Sequence, residues 1–167
     1  MILEDAMSEM RAGIGYDIHR LVEGRALMLG GARMEFPKGL LGYSDGDALL
    51  HAICDALLGA AGLGDIGGHF PDTDPAYKGV ASIELVKRVA VILAKSGWEV
   101  VNVDANVIAE RPKIGPYVGE MKKIIGGALG IPAERVSIKG RTREGLGEVG
   151  RGEAIAAQAV AMIKKKD

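Results

Sequence analysis

The run Ser44-Asp45-Gly46-Asp47-Ala48-Leu49-Leu50-His51-Ala52-Ile53-Cys54-Asp55-Ala56-Leu57-Leu58-Gly59-Ala60-Ala61-Gly62 decides the fold class. Ser44 reads as a helix N-cap, and Asp45 and Asp47 stand where the helix dipole favours acids. A long apolar helix follows to Ala61, and Gly62 is a fitting stop. Asp47, His51 and Asp55 are spaced four apart, which makes one narrow polar stripe on this otherwise apolar helix. Burying such a stripe costs solvation, and a divalent metal is a group that offsets it. For Asp45 the simpler reading is complementation of the dipole.

Working outward, residues 14–18 read as a short strand ending in Asp17-Ile18-His19. Residues 27–29 and 32–36 flank Gly30-Gly31, a hairpin or bulge signal. Residues 64–75 are rich in glycine, aspartate and proline and read as loop. Residues 82–96 form a second helix, with Leu85, Val89 and Ile92 on one face and Gly97 at its end. Val101, Val103, Ala105 and Val107 alternate with polar residues, the pattern of a half-buried strand. Pro116 opens a third helix that closes at Gly130. Residues 136–139 are strand-like again. The tail 153–163 is ambiguous, since its alanines favour helix and its alternation favours strand. Strands alternating with helices place the chain in the α/β or mixed α+β class.

Bulk properties narrow the function. A chain of 167 residues is one domain by length and carries a formal charge of -1, so it has no global field for nucleic acid or an anionic membrane. Anionic ligands must be held by local groups. The single Cys54 rules out an intrachain disulfide and suits a reducing cytoplasm. Residues 1–10 carry acids without an apolar run, unlike a secretory signal, and no segment has the apolar length of a membrane span.

Asp17 and His19 stand two apart in extended chain, so their side chains project to the same side. With His51 they offer two imidazoles and a carboxylate, leaving the fourth tetrahedral position open as in a catalytic zinc site. Asp47 or Asp55 is expected to orient the His51 ring. Taken singly, each histidine reads equally well as a hydrogen-bonded structural residue. The carboxylates of residues 65–75 suit sugar hydroxyls or a hard cation, or simply turns. Arg111-Pro112-Lys113 makes a rigid turn that presents backbone groups to a base and Lys113 to a phosphate. In Arg141-Thr142-Arg143-Glu144, Glu144 suits Mg²⁺ on a diphosphate and Thr142 a phosphate oxygen; solvated surface groups are the alternative.

Read together, Gly15-Tyr16-Asp17-Ile18-His19, Ser44-Asp45-Gly46-Asp47, Leu50-His51-Ala52, Gly64-Asp65-Ile66-Gly67 and Phe70-Pro71-Asp72-Thr73-Asp74-Pro75 resemble the 2-C-methyl-D-erythritol 2,4-cyclodiphosphate synthase family. These are the cyclising enzymes of non-mevalonate isoprenoid biosynthesis. The likeness continues through Pro112-Lys113 and Glu144 to Gly150-Arg151-Gly152-Glu153. It implies an α+β (α/β-like) single domain over residues 11–167, behind a leader of residues 1–10. It also implies a mixed sheet packed on helices, the tail from Glu153 as a strand, and a homotrimer with sites between subunits.

The resemblance further implies zinc on Asp17, His19 and His51, and magnesium or manganese on Glu144. Ser44 and the loop bearing Asp65, Gly67, Phe70, Asp72 and Asp74 would meet the methylerythritol and its phosphate. Ala109, Lys113, Ile114 and the segment around Thr142 would enclose the cytidine from the neighbour. Thr142 and Tyr43 are expected to act on the phosphates, and Arg151 to lie by an axial cavity that accepts isoprenoid diphosphates. The implied reaction converts 4-diphosphocytidyl-2-C-methyl-D-erythritol 2-phosphate into the cyclic diphosphate and CMP. Three positions depart from the family pattern: Tyr43 replaces a histidine, Arg141 and Arg143 flank Thr142 where threonines are usual, and Glu148 replaces an aromatic beside the cavity. A metal-dependent phosphohydrolase and a non-catalytic isoprenoid-diphosphate sensor are the competing readings.

Overall fold

The computed structural model describes residues 9–166; residues 1–8 of the expected leader and residue 167 lie outside the described residues. Strand β1 (Met10–Glu23) runs much further than residues 14–18 and pairs antiparallel with β7 (Ala154–Lys165) along nearly its whole length. The tail is thus a strand. Its alanines favour helix only weakly, and pairing on both sides overrides that preference. Strand β5 (Trp98–Ile108) lies antiparallel on the far side of β7, and β6 (Val136–Arg141) pairs parallel with β5. A short β4 (Lys38–Leu40), absent from the sequence reading, borders β1. The sheet order is therefore β4-β1-β7-β5-β6, mixed in direction, and β2 (Leu27–Leu29) and β3 (Ala32–Met34) form the separate hairpin around Gly30-Gly31.

Helix α1 (Ala48–Ala61) is buried on almost every side and lies across β1 and β7. Its N-cap is Asp47, not Ser44: Gly46 turns the chain at φ 78°, and the Asp47 carboxylate accepts from Leu50 N. Gly62 closes it in the left-handed conformation. The approach of α1 to the sheet depends on Gly13 and Gly15. A Cβ on either would overlap a helix carbonyl oxygen, that of Ala56 or that of Ala52 respectively. Backbone therefore meets backbone, and His51 is drawn close to the strand residues that follow Gly15.

Helix α2 (Ile66–His69) and a 3₁₀ turn, Pro75–Tyr77, interrupt the expected loop. Helix α3 (Ser82–Lys95) packs on α1 and on α4 (Val118–Leu129), which follows a 3₁₀ turn containing Pro116. A single turn, α5 (Gly147–Gly150), precedes β7. The principal core lies between the helices and the inner sheet face, with Leu50, Ile53, Leu57, Leu93, Ile125 and Ile155 fully buried. Strand alternation turns Ile14, Tyr16 and Val160 to the opposite face, where they are 64%, 55% and 46% exposed. Among the described residues no helix is long and apolar enough to cross a membrane.

Candidate active site

Strand alternation carries Asp17 and His19 to the face covered by α1, beside His51 one turn into that helix. Asp17 Oδ2 lies 2.8 Å from His19 Nε2 and 2.9 Å from His51 Nδ1, and the two nitrogens are 3.1 Å apart. Ligands held about 2.0–2.1 Å from a tetrahedral metal stand about 3.3 Å from one another, so the three atoms already approximate one face of such a shell. The remaining atoms of these groups are engaged elsewhere. His19 Nδ1 donates to the Leu41 carbonyl at 2.6 Å, Asp17 Oδ1 accepts from Ile18 N at 2.9 Å, and His51 Nε2 faces Ser82 Oγ at 2.8 Å and Ser44 Oγ at 3.1 Å. Two imidazole lone pairs and a carboxylate oxygen aimed at one point repel unless a proton or a metal cation sits among them. This donor set fits a zinc ion, and these residues are the cluster among the described ones able to hold a metal.

Electrostatics follow from the same contacts. Burial by itself would raise the Asp17 carboxyl, but hydrogen bonds and charge from His19 and His51 outweigh it and hold Asp17 well below the usual range. Asp17 in turn pushes His19 up against the effect of burial.

The expected role of Asp47 and Asp55 is corrected. Asp47, fully buried, accepts from Gly30 N at 2.9 Å, Gly31 N at 2.8 Å and Leu50 N at 3.1 Å, pinning the hairpin to the start of α1. Asp55 accepts from Ile66 N at 2.8 Å. Burial raises both carboxyls. The stripe is real, but its acids serve backbone donors from distant segments, and Ser82 and Ser44 face the outer nitrogen of His51.

His19 and His51 line a cavity of about 250 Å³ together with Tyr43, Ser44, Gly67, Phe70 and Asp72 among others. The Tyr43 hydroxyl donates to the Asp74 carbonyl at 3.2 Å, while its own carbonyl accepts from Gly79 N at 2.8 Å, so this residue fastens the loop that walls the cavity. Asp65 and Asp74 are absent from the lining; their carboxylates accept from Gly68 N and Ala76 N as caps of short helical turns.

Ala109, Lys113, Ile114 and Thr142 line a second cavity of about 550 Å³ that shares no lining residue with the first. Thr142 Oγ1 donates to Glu144 Oε1 at 2.8 Å, and Glu144 sits at φ 50°, rarely adopted by a side-chain-bearing residue. Glu110, which the sequence reading passed over, holds this turn: its Oε1 accepts from Arg143 N at 2.7 Å and Gly145 N at 3.3 Å. Arg151 lines a third cavity with Lys38 and Arg111, and its guanidinium pairs with Glu153. One chain thus brings the triad together with Tyr43, Ser44, Gly67, Phe70 and Asp72, and keeps Ala109, Lys113, Ile114, Thr142 and Arg151 apart from it. Ser82 was also missed, because a serine opening a helix reads as local capping.

Known proteins resemble this chain in sequence and fold over nearly its whole length. The model of the YgbB family matches residues 10–164. A 2-C-methyl-D-erythritol 2,4-cyclodiphosphate synthase of Pelotomaculum thermopropionicum is 57% identical over 156 residues, covering 93% of this chain and 96% of the relative. One of Symbiobacterium thermophilum is 58% identical over 154 residues, covering 92% and 98%. Among solved structures, an IspF–CDP complex of Plasmodium falciparum superposes with a TM-score of 0.83 at 35% identity, covering 96% of this chain and 99% of that one. The bifunctional IspDF of Campylobacter jejuni gives 0.92 at 39% identity; 96% of this chain is covered, and it spans 43% of that protein's length. Matched by the family model over residues 10–164, by relatives more than half identical along nearly their whole length and by the superposed fold, the chain belongs to the YgbB family.

Proposed function

We propose that this chain converts 4-diphosphocytidyl-2-C-methyl-D-erythritol 2-phosphate into 2-C-methyl-D-erythritol 2,4-cyclodiphosphate and CMP, a cytoplasmic step of non-mevalonate isoprenoid biosynthesis. The observation that carries the reading is the convergence of Asp17 Oδ2, His19 Nε2 and His51 Nδ1, with both histidines lining a cavity, in a chain more than half identical to named synthases. Zinc on these three ligands, and magnesium or manganese on Glu144, would supply Lewis-acid stabilisation of phosphate oxygens. The chain's own groups do the positioning. The 2-phosphate is already anionic, so its oxygen attacks the β-phosphorus without a general base, and CMP leaves in line. Ser44, Gly67, Phe70 and Asp72 wall the methylerythritol end, with Asp65 and Asp74 shaping the loop around it. Tyr43 and Thr142 offer hydroxyl donors to phosphate oxygens, and Lys113 offers a cation. Ala109 and Ile114 enclose the cytosine, and the CDP held by the Plasmodium falciparum relative supports a nucleotide of this kind.

The assembly is a homotrimer in this reading. Two observations support it: the cavity beside His19 and His51 and the one lined by Ala109 and Thr142 share no lining residue within one chain, as expected if a neighbour completes each site, and β1 and β7 expose Ile14, Tyr16 and Val160 on one sheet face. Arg151 would then face the axial cavity proposed for isoprenoid diphosphates. Phosphorus NMR of the reaction tests the function. Equal amounts of CMP and cyclic diphosphate are expected, whereas a linear product carrying solvent oxygen would make the chain a hydrolase. Absence of turnover by metal-loaded protein would make it a binding protein.

A further inference from the structure

Ser82 opens α3 and is completely buried, yet its side chain faces two charged or ionisable groups from other segments. Its Oγ donates a short hydrogen bond to Asp45 Oδ1, and its backbone N donates to Asp45 Oδ2 at 3.0 Å. The same Oγ lies 2.8 Å from His51 Nε2. A hydroxyl has one proton and a carboxylate can only accept, so once that proton goes to Asp45 the serine can only accept from His51. His51 Nε2 must then carry the hydrogen, and its lone pair falls on Nδ1, the atom 2.9 Å from Asp17. Ser44 Oγ stands further off at 3.1 Å and also receives Gly46 N, so it is the weaker partner.

We infer that Asp45 and Ser82 are positioning residues that act through His51, fixing the ring in the one tautomer that presents Nδ1 to a metal. This rests on the reading of Asp17, His19 and His51 as zinc ligands. It gives the Ser44-Asp45-Gly46-Asp47 motif a second task besides capping. It also makes α3 part of the metal site, though α3 contributes no ligand.

The test uses zinc-loaded full-length protein and reads metal release to a chelator together with the His51 Nε2 proton by ¹⁵N-edited NMR. Ser82→Ala should accelerate zinc release about 10- to 100-fold, the usual cost of losing a partner to a metal-bound histidine. It should also speed exchange of the Nε2 proton with water at least tenfold. Ser44→Ala should do less of both, and the double variant should do more than either. Circular dichroism checks that each variant is folded. His51→Ala is the control: if it keeps its zinc, the ligand assignment itself fails. If His51→Ala loses zinc while the double variant releases it at the wild-type rate with the Nε2 proton still protected, the positioning role fails and the ligands stand. A Ser44→Ala effect exceeding that of Ser82→Ala would equally overturn the assignment to Ser82.

Discussion

Replacing Gly15 by alanine tests whether the spacing of helix and strand sets the geometry of the metal site. A Cβ at Gly15 would overlap the Ala52 carbonyl oxygen and stand 2.8 Å from Ala56 N, where ordinary contact begins at 3.4 Å. Helix α1 must therefore retreat by at least about 0.6 Å from that contact, taking His51 with it, against a tolerance of about 0.2 Å for metal–ligand distances. Overpacking of this kind costs about 1–3 kcal/mol, and a domain of this size loses about 2–4 °C of Tm per kcal/mol. Thermal unfolding of Gly15→Ala should fall by about 2–12 °C, and zinc should leave for a chelator at least ten times faster. Gly59→Ala is the matched control from the helix side. Its Cβ would meet only Ile14 O, at 4.0 Å, and helix propensity gains about 0.5–1 kcal/mol. It should retain zinc and melt no lower than the wild type. A Gly15→Ala protein with unchanged Tm and zinc release would refute the argument.

Other substitutions separate the parts of the site. His51→Ala should lose most bound zinc by elemental analysis while circular dichroism stays unchanged. Tyr43→Phe should slow turnover about two- to twelvefold, the kinetic equivalent of one neutral hydrogen bond of about 0.5–1.5 kcal/mol, with zinc retained; unchanged kinetics would show that the phenol serves only its loop. Glu144→Gln should abolish most turnover and Mn²⁺ binding, read by electron paramagnetic resonance, without loss of zinc. Glu110→Ala should weaken Mn²⁺ binding several-fold by releasing the turn at residues 143–145, and Glu110→Gln, which keeps an acceptor oxygen, should restore much of it.

Much of this was legible from residue spacing, and the remainder was hidden for identifiable reasons. Asp17 and His19 share a side because extended chain alternates, and His51 falls on the polar stripe of α1 because helices repeat every few residues. What sequence could not supply was the partner of each stripe residue. Asp47 is claimed by Gly30 N and Gly31 N, and Asp55 by Ile66 N, donors brought from other segments only by the completed fold. Ser82 and Glu110 act across 31 to 37 residues of chain, so neither has a local signature. The full length of β1 was not legible because Gly13 and Gly15 carry no strand signal of their own; they lie inside the strand, at the sites of closest helix approach.

The pairing of β1 with β7 bears on how the site is born. Asp17 lies opposite Ala157 and His19 opposite Ile155, so the first strand made is held in the sheet by the last. On the ribosome, His51 emerges roughly 100 residues before the segment that fixes its two fellow ligands. At about 5–20 residues per second this is a delay of about 5–20 s. Throughout that interval one edge of β1 is unpaired and the three ligand atoms have no common framework. Capture of a metal at these residues must therefore wait until β7 has been made, and the nascent polypeptide needs protection of an open strand edge before it can use a metal ion.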